Sequence, residues 1–488
     1  MRLRPLLLAL IVASTPAAAQ FSSDAIRLPE LSGSAQALFT PEEERLIGEA
    51  FMRSVRRQLD LETDPLIAAY VEELGDRLAA ASDRPGRRYH FFAVRAEDIN
   101  AFAGPDGWIG VHTGLILAAR SEDELAAVIA HEIAHVTQDH LLRGFEANQY
   151  AQLPIAAAVI AGLILSQVSS QAGEAALTGT LAGTAQRQLD YTRAHEHEAD
   201  RVGMQILHGA GFDPRAMPGF FERLQESARY SGQSAPEFLR THPVTTNRIA
   251  DAQGRAEQYA YRQRLDSLDF HLVRKRLGLQ ASSAEAWLRE QETQLRQGAY
   301  SNETAQRYAV AIGKLATGQA GKAEKHLKSL LEQHPQNRFL ILAMAQAEHA
   351  QGQRDAAARR LRKALDVLPG NPALTLQLAE WDFALQRPAD SLEPLRQAVN
   401  LHPLNPALRE AYARHLGADG QPIEGHMEMA EQAFLLGRTE AAILQLKRAQ
   451  DLANKDRSNR ERGYQLERID ARIVEMEAYR KAEEALPL

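Results

Sequence analysis

The stretch AVIAHEIAHVTQDH, residues 127–140, places two histidines four positions apart with a glutamate directly after the first. Residues i and i+4 lie on one face of an α-helix, so the imidazoles of His131 and His135 point the same way. Imidazole is a good zinc ligand, and Glu132 lies beside the pair, where it suits a general base. The neighbouring residues are nearly all apolar, and burying an unpaired polar triad among them would be costly. The stretch predicts a zinc site that lacks a third ligand; the alternative is a helix with surface histidines.

A second polar stretch about sixty residues further on, RAHEHEADRVGMQILHGAGFDP (193–214), offers candidates for that ligand. On a helical wheel its apolar residues define a buried arc, which includes Glu196 and His195 and has Asp200 at its edge. Glu198 points away from this arc, and we expect it to be solvated. Periodicity alone does not exclude His195, so the order of preference is Glu196, His195 and then Asp200.

Composition and the N-terminus restrict the class of protein. The chain has 488 residues, enough for several domains, and its 45% hydrophobic and 24% charged residues are typical of globular proteins. Acidic residues outnumber basic ones, 63 to 56, which argues against a nucleic-acid partner. A basic start, an apolar run and a small-residue site at Ala17–Ala19 predict a cleaved export signal over residues 1–19, with a short membrane anchor as the alternative. The chain has no cysteine, which is compatible with a bacterial periplasm.

Local patterns before the HEIAH stretch predict helices over 41–59 and 64–82 and strands over 89–95 and 108–113. Ser121, with Glu124 three residues on, forms a capping-box pattern and predicts the start of the helix that carries HEIAH. Residues 147–173 are uncharged and contain an apolar run at 153–165. That run is short for a typical membrane span, so we expect a buried or lid helix, with contact at a membrane surface or a true span as the alternatives.

The second half of the chain contains a repeat. Gly318 and Gly352 are 34 residues apart, and Pro335, Pro369 and Pro403 keep the same step. A 34-residue period with a small residue between two helices and a closing proline resembles the tetratricopeptide repeat, and residues 435–453 look like a further unit out of phase. Such repeats stack into a curved solenoid whose concave side binds other protein chains, unless the array is only a structural extension.

The histidine motif and the second polar stretch together resemble the zinc metallopeptidases related to the CAAX prenyl proteases and the heat-shock protease HtpX. The resemblance implies that Glu196 is the third metal ligand and that Asp200 lies behind the ligands or donates a proton. It also implies an edge strand that aligns extended substrate, which maps onto 108–112 and makes Gly110 a candidate substrate contact. Those relatives are integral membrane proteins, whereas this chain has one ambiguous apolar stretch, so membrane-embedded substrates are not expected.

An export signal, this catalytic domain and a repeat array together resemble the periplasmic BepA-type proteases over nearly the whole mature chain. The resemblance implies quality control of outer-membrane β-barrel proteins, as protease and chaperone, with the assembly machinery as a candidate partner of the repeats. It implies that a His-Pro loop brings His242 to the zinc as a latch; a simple turn set by Pro243 is the alternative. Arg248 is expected to bind a substrate carbonyl or oxyanion, or else to form a surface salt bridge.

The expected fold is mainly α with a small β-sheet. It comprises a zincin-like metalloprotease domain over residues 20–262, a helical linker over 263–304 and an all-α tetratricopeptide-repeat solenoid over 305–488. The expected function is that of a periplasmic zinc endopeptidase with one zinc ion per chain, in which Glu132 moves the proton and Asp200 and His242 assist. The alternative is a chaperone or adaptor whose zinc site is latent or structural.

Overall fold

The computed structural model describes residues 40–147, 182–230, 236–456 and 461–484. The predicted export signal lies outside these residues, and so do residues 148–173 of the uncharged stretch. Within the four described ranges, every helix is too short or too polar to cross a lipid bilayer.

The first part of the chain confirms the predicted helices and strands and adds one short strand. Up to residue 147 the elements are α1 (Pro41–Gln58), α2 (Pro65–Ala79), β1 (His90–Val94), β2 (Ala101–Ala103), β3 (Trp108–His112), α3 (Thr113–Ala118), α4 (Glu122–Thr137) and α5 (His140–Ala147). From residue 182 they are α6 (Ala182–Gly209), α7 (Ala216–Tyr230), α8 (Glu237–Thr241) and α9 (Thr246–Ala256).

The predicted N-cap of α4 is confirmed in part. The Ser121 hydroxyl accepts a hydrogen bond from the Glu124 backbone N–H at 3.3 Å. The Glu124 carboxylate does not return to Ser121 but accepts the backbone N–H of Arg120 at 2.6 Å. The Glu124 carboxylate therefore pairs with a backbone N–H just before the helix, but the two residues do not form a regular capping box.

The three strands form one sheet in the order β1-β3-β2, with β3 parallel to β1 and antiparallel to β2. The prediction of an edge strand at 108–112 is therefore wrong, because neighbours on both sides already pair with the backbone of β3. Gly110 is covered by aromatic rings from those neighbours: a Cβ there would lie 2.5 Å from Phe102 and 2.9 Å from Phe92. Gly110 lets the rings close over the sheet, and β3 offers no free edge to a substrate strand.

Helix α4 is the buried centre of the first domain. It packs against α2, α6, α7 and the sheet, and Leu125, Ile129 and Ile133 are all fully buried. Helix α6 approaches it closely at Gly203, where a Cβ would lie 3.2 Å from the Ala130 carbonyl oxygen and from the His131 backbone. A larger residue at 203 would push α6 away from α4 at the level of His131.

The second part is a row of helices in which consecutive members pack against each other. They are α10 (Leu268–Gln280), α11 (Ala284–Gln297), α12 (Glu303–Ala316), α13 (Ala320–Gln333), α14 (Arg338–Ala350), α15 (Arg354–Leu365), α16 (Pro372–Ala384), α17 (Leu392–Leu401), α18 (Pro406–Ala418), α19 (Pro422–Leu435), α20 (Thr439–Lys455) and α21 (Arg462–Glu484).

Left-handed backbone residues mark the turn inside each helical hairpin. Gly318, Gly352, Gln386 and Gly420 follow one another at intervals of 34 residues, with φ of 74°, 82°, 58° and 80°. Gly437, with φ of 72°, comes only 17 residues after Gly420. Helix α19 lies between these last two turns and therefore belongs to two hairpins, which explains why the unit at 435–453 is out of phase.

The solenoid packs against the first domain through α2 and α10. Arg338, at the start of α14, lies 2.7 Å from Glu73 of α2 and 3.1 Å from Asp269 of α10. One buried apolar cluster extends from Leu66 of α2 to Trp381 of α16. The predicted division at residues 262 and 305 therefore crosses a continuous core.

Helix α1 contacts the far end of the array. The Arg56 guanidinium donates to the carbonyl oxygens of Leu404 and Leu435 at 2.9 and 2.8 Å. The guanidinium carbon of Arg53 lies 4.5 Å from the centre of the Phe434 ring, a cation–π distance.

The first helices of successive hairpins, α12, α14, α16 and α18, pack on one another and so form the inner side of the array. The first domain thus covers part of the side that was expected to bind other chains.

Candidate metal centre

Four side chains from three elements meet beneath α8. His131 and His135 come from α4, Glu196 from α6 and His242 from the residue after α8, and their ligand atoms all lie within 4.8 Å of one another. The Nε2 atoms of the two α4 histidines are 3.0 Å apart, and each is 3.4 Å from a Glu196 carboxylate oxygen. Nδ1 of His242 is 3.1 Å from Glu196 and 3.4 Å from Nε2 of His131. The structure therefore brings all four predicted groups to one point.

The position of His242 follows from the short helix before it. Its backbone N–H donates to the Phe238 carbonyl oxygen at 2.7 Å and so ends α8, and Pro243 follows. Its ring stacks on Phe238 with centroids 4.8 Å apart and an angle of 25° between the planes. The His-Pro segment is thus more than a turn, because it delivers an imidazole into the cluster.

The cluster fits a metal ion such as zinc. Three imidazoles and a carboxylate are donors that zinc prefers, and all but His135 are buried. One carboxylate oxygen of Glu132, which is 1% exposed, has no hydrogen-bond partner among the described residues, and it lies 3.5 Å from His242. Lone pairs that face one another in a buried site are costly unless a cation joins them.

Electrostatics in the cluster supports the same interpretation. Burial opposes protonation of His131, but the carboxylates of Asp200 and Glu196 outweigh it and raise its pKa to about 10. Burial prevails at His135 and lowers its pKa to about 4. Burial also opposes ionisation of Glu196, yet the surrounding histidines, His242 first, hold the pKa of that carboxyl well below its usual range. The site is therefore built to hold positive charge, and a bound cation would displace the proton on His131.

Asp200 and Arg248 lie behind the cluster. Oδ1 of Asp200 is 3.0 Å from Nδ1 of His131, although without regular hydrogen-bond geometry, and both Asp200 oxygens accept from Arg248 at 2.8 Å. Another nitrogen of Arg248 is 2.8 Å from Glu196. Burial opposes the charge on Asp200, but His131 and Arg248 lower its pKa. Arg248 is 2% exposed, so it does not form the surface salt bridge that was the alternative, and it holds Asp200 and Glu196.

His135 contacts a separate series of polar side chains, which the sequence did not predict. Nδ1 of His135 is 2.9 Å from Nδ1 of His140, and Nε2 of His140 is 3.1 Å from Glu198, which also accepts from Arg143 at 2.8 Å. The prediction that Glu198 is solvated is wrong, because its side chain is only 29% exposed and its carboxylate is bound on the protein side. His195, the second-ranked ligand candidate, stacks on His140 with centroids 4.1 Å apart and lies outside the cluster of four.

Comparison with known proteins identifies the family. The family described as Peptidase family M48 matches residues 65–256, a range that includes every residue of the cluster. A Vibrio cholerae relative assigned to the beta-barrel assembly-enhancing proteases is 39% identical over 348 residues, or 70% of each chain. The chain belongs to the beta-barrel assembly-enhancing proteases of peptidase family M48. The beta-barrel assembly-enhancing protease of Escherichia coli is 37% identical to this M48 protease over 322 residues, or 66% of each chain.

A more distant relative matches a shorter part of the chain. The mitochondrial metalloendopeptidase OMA1 of Arabidopsis thaliana is 33% identical over 165 residues, which is 34% of this chain and 31% of the relative. Together with the family match, these similarities make this M48 protease a zinc metalloendopeptidase. The fold confirms the expectation of a mainly helical protein with a small sheet and a helical array.

Proposed function

We propose that this M48 protease is a periplasmic zinc endopeptidase that degrades misassembled outer-membrane proteins and assists their assembly through its repeats. The observation that carries this proposal is the convergence of His131, His135 and Glu196. These three ligands would hold one zinc ion per chain. Glu132 lies 3.5 Å from His242, the fourth member of the cluster. The names of the relatives support the link to β-barrel assembly and a contact between the repeats and the assembly machinery. The predicted export signal supports the periplasm.

Each residue of the site has a separate role in peptide hydrolysis. When bound, zinc supplies Lewis-acid polarisation of the scissile carbonyl and makes water easier to deprotonate. Glu132 accepts the proton from the attacking water and passes it to the leaving nitrogen, so no covalent intermediate is needed. Asp200 holds His131 from behind, and Arg248 fixes Asp200 and Glu196 by buried charge-assisted contacts.

His242 is proposed to be a latch that fills the fourth position in the resting protein. Its Nδ1 atom lies as close to Glu196 as the α4 histidines do, which supports this role. A catalytic zinc needs an open position, so the imidazole must move away before substrate enters. We expect His242→Ala to cleave casein faster than wild type with its zinc retained. Slower cleavage would instead make His242 a group that acts on the substrate.

The central test measures zinc content and casein cleavage side by side in wild type and Glu132→Gln. Wild type should hold stoichiometric zinc, and Glu132→Gln should keep the zinc while losing about 10²- to 10⁴-fold in cleavage rate, because it removes the proton acceptor. Glu226→Gln, the same change at an exposed position on α7, is the matched control. Wild-type protein without zinc, or a Glu132→Gln protein that cleaves normally, would overturn the proposal.

The second candidate function is a chaperone or adaptor with a latent zinc site. The presence of His242 among the ligands favours it, because a filled fourth position keeps the peptidase inactive. Complementation of a deletion strain separates the two. An adaptor would keep its cellular role with Glu132→Gln, whereas a protease would lose it. Cell fractionation and sequencing of the mature N-terminus, expected at Gln20, test the location.

A further inference from the structure

His140 lies between a proposed metal ligand and a partly buried ion pair. Its ring lies edge-on to that of His135, with an interplanar angle of 76°, and nearly parallel to that of His195, at 7°. Its two nitrogens face different partners, with Nδ1 towards His135 and Nε2 towards Glu198. Arg143 donates to the same Glu198 oxygen at 2.8 Å and so fixes the carboxylate. Stacking on His195 thus fixes the plane of the His140 ring, and the two hydrogen bonds fix its rotation within that plane.

The proton positions along this chain are mutually determined. Nε2 of His135 faces Glu196 and His131, so as a metal ligand it must carry a lone pair, and the ring proton lies on Nδ1. That N–H can only donate to Nδ1 of His140, which must then be an acceptor. The proton of His140 consequently lies on Nε2, which donates a hydrogen bond to the Glu198 carboxylate, a group that can only accept. Each of the two histidines is therefore restricted to a single tautomer. The series of hydrogen bonds ends at the Glu198 carboxylate, which Arg143 anchors.

We propose that His140 is a positioning residue that fixes the tautomer and ring orientation of His135 for metal binding, with Glu198 as its anchor. The inference rests on the proposed function, since it needs His135 to be a ligand. Asp200, anchored by Arg248, has the corresponding place behind His131. One helix, α6, therefore supplies a ligand, Glu196, and the anchors for both histidine ligands.

The test compares zinc affinity in variants of His140 by competition with a fluorescent chelator. In His140→Phe the ring volume remains but the acceptor is lost, and we expect zinc affinity to fall about 10- to 100-fold. In His140→Asn the side-chain oxygen can take the place of Nδ1, so most of the affinity should return. His197→Phe on α6 is the matched control, because the His197 side chain is 41% exposed and its nearest charged partner, Asp251, is 3.8 Å away.

Two further measurements separate positioning from general damage to the fold. The visible spectrum of the cobalt-substituted protein should change in His140→Phe and be close to wild type in His140→Asn. The melting temperature of the metal-free protein should be similar for both variants. Equal zinc affinity in wild type, His140→Phe and His140→Asn would overturn the inference while leaving the peptidase proposal intact. A wild-type protein that binds no zinc would instead overturn the proposed function itself.

Discussion

Replacing Arg248 by methionine tests whether the buried ion pairs behind the metal centre hold the site together. Arg248 is almost fully buried and makes two hydrogen bonds of 2.8 Å to Asp200 and a contact of 2.8 Å to Glu196. Methionine has a similar length without a charge, so the variant leaves both carboxylates in place without their cation. In the metal-free protein only the histidines remain to balance them.

The magnitude follows from the burial of both partners. Removing one member of a buried, hydrogen-bonded ion pair costs about 3–5 kcal/mol, because the remaining charge is uncompensated. At about 2–4 °C per kcal/mol for a domain of this size, Arg248→Met should lower the melting temperature by about 6–20 °C. Bound zinc neutralises part of the charge on Glu196, so the decrease should be smaller in the zinc-loaded protein than after chelation.

Thermal unfolding followed by circular dichroism, with and without chelator, measures both effects. Arg248→Lys is the first control: it restores the charge but not the two-pronged geometry, and should lie between methionine and wild type. Arg248→Met/Asp200→Asn is the second, and it should unfold at a higher temperature than Arg248→Met alone because it removes the stranded carboxylate. A metal-free Arg248→Met protein within about 2 °C of wild type would refute the reasoning, given the magnitude expected for a buried pair.

Three further predictions concern the fold. Gln386→Gly should raise the free energy of unfolding by about 1 kcal/mol in denaturant titrations, because residue 386 has a left-handed backbone in an exposed turn; an unchanged value contradicts this. Gly203→Val should displace α6 from His131 and lower kcat/KM about 10²-fold, whereas Gly219→Val, in open space, should leave it unchanged. The pKa of Asp139 is lowered, against burial, by two arginines, so its stabilisation is present above about pH 4 and is lost at lower pH. The stability difference between wild type and Asp139→Asn should therefore shrink from pH 5 to pH 3, and a constant difference would exclude this linkage.

Local spacing was enough to predict the elements and the central ligands. The i, i+4 placement of His131 and His135 depends only on helical geometry, and so does the position of Glu132 beside them. The 34-residue step of small residues and prolines predicted the hairpins, since each unit repeats the same turn. The apolar arc of α6 included Glu196, but it included His195 as well, and it placed Glu198 on the wrong side.

The contacts that distinguish these groups are made between elements distant in the chain. Glu198 is turned inwards because His140 and Arg143, on another helix, bind its carboxylate. Arg248 is turned inwards because Asp200 and Glu196, both on α6, bind its guanidinium. No periodicity within one helix contains that information, because it depends on the angle and distance at which two helices pack.

Topology was likewise decided in three dimensions. The sequence predicted the strand at 108–112 but not that it is the central one, because strand order depends on which neighbours pair with it. It predicted a repeat at 435–453 but not that α19 serves two hairpins, nor that α1 and α2 pack against the array. The sequence by itself determined which residues can bind a metal, since that depends on residue type and local spacing. The tertiary structure decided which of them meet, which are held from behind and which surfaces stay open, since those depend on packing between distant segments.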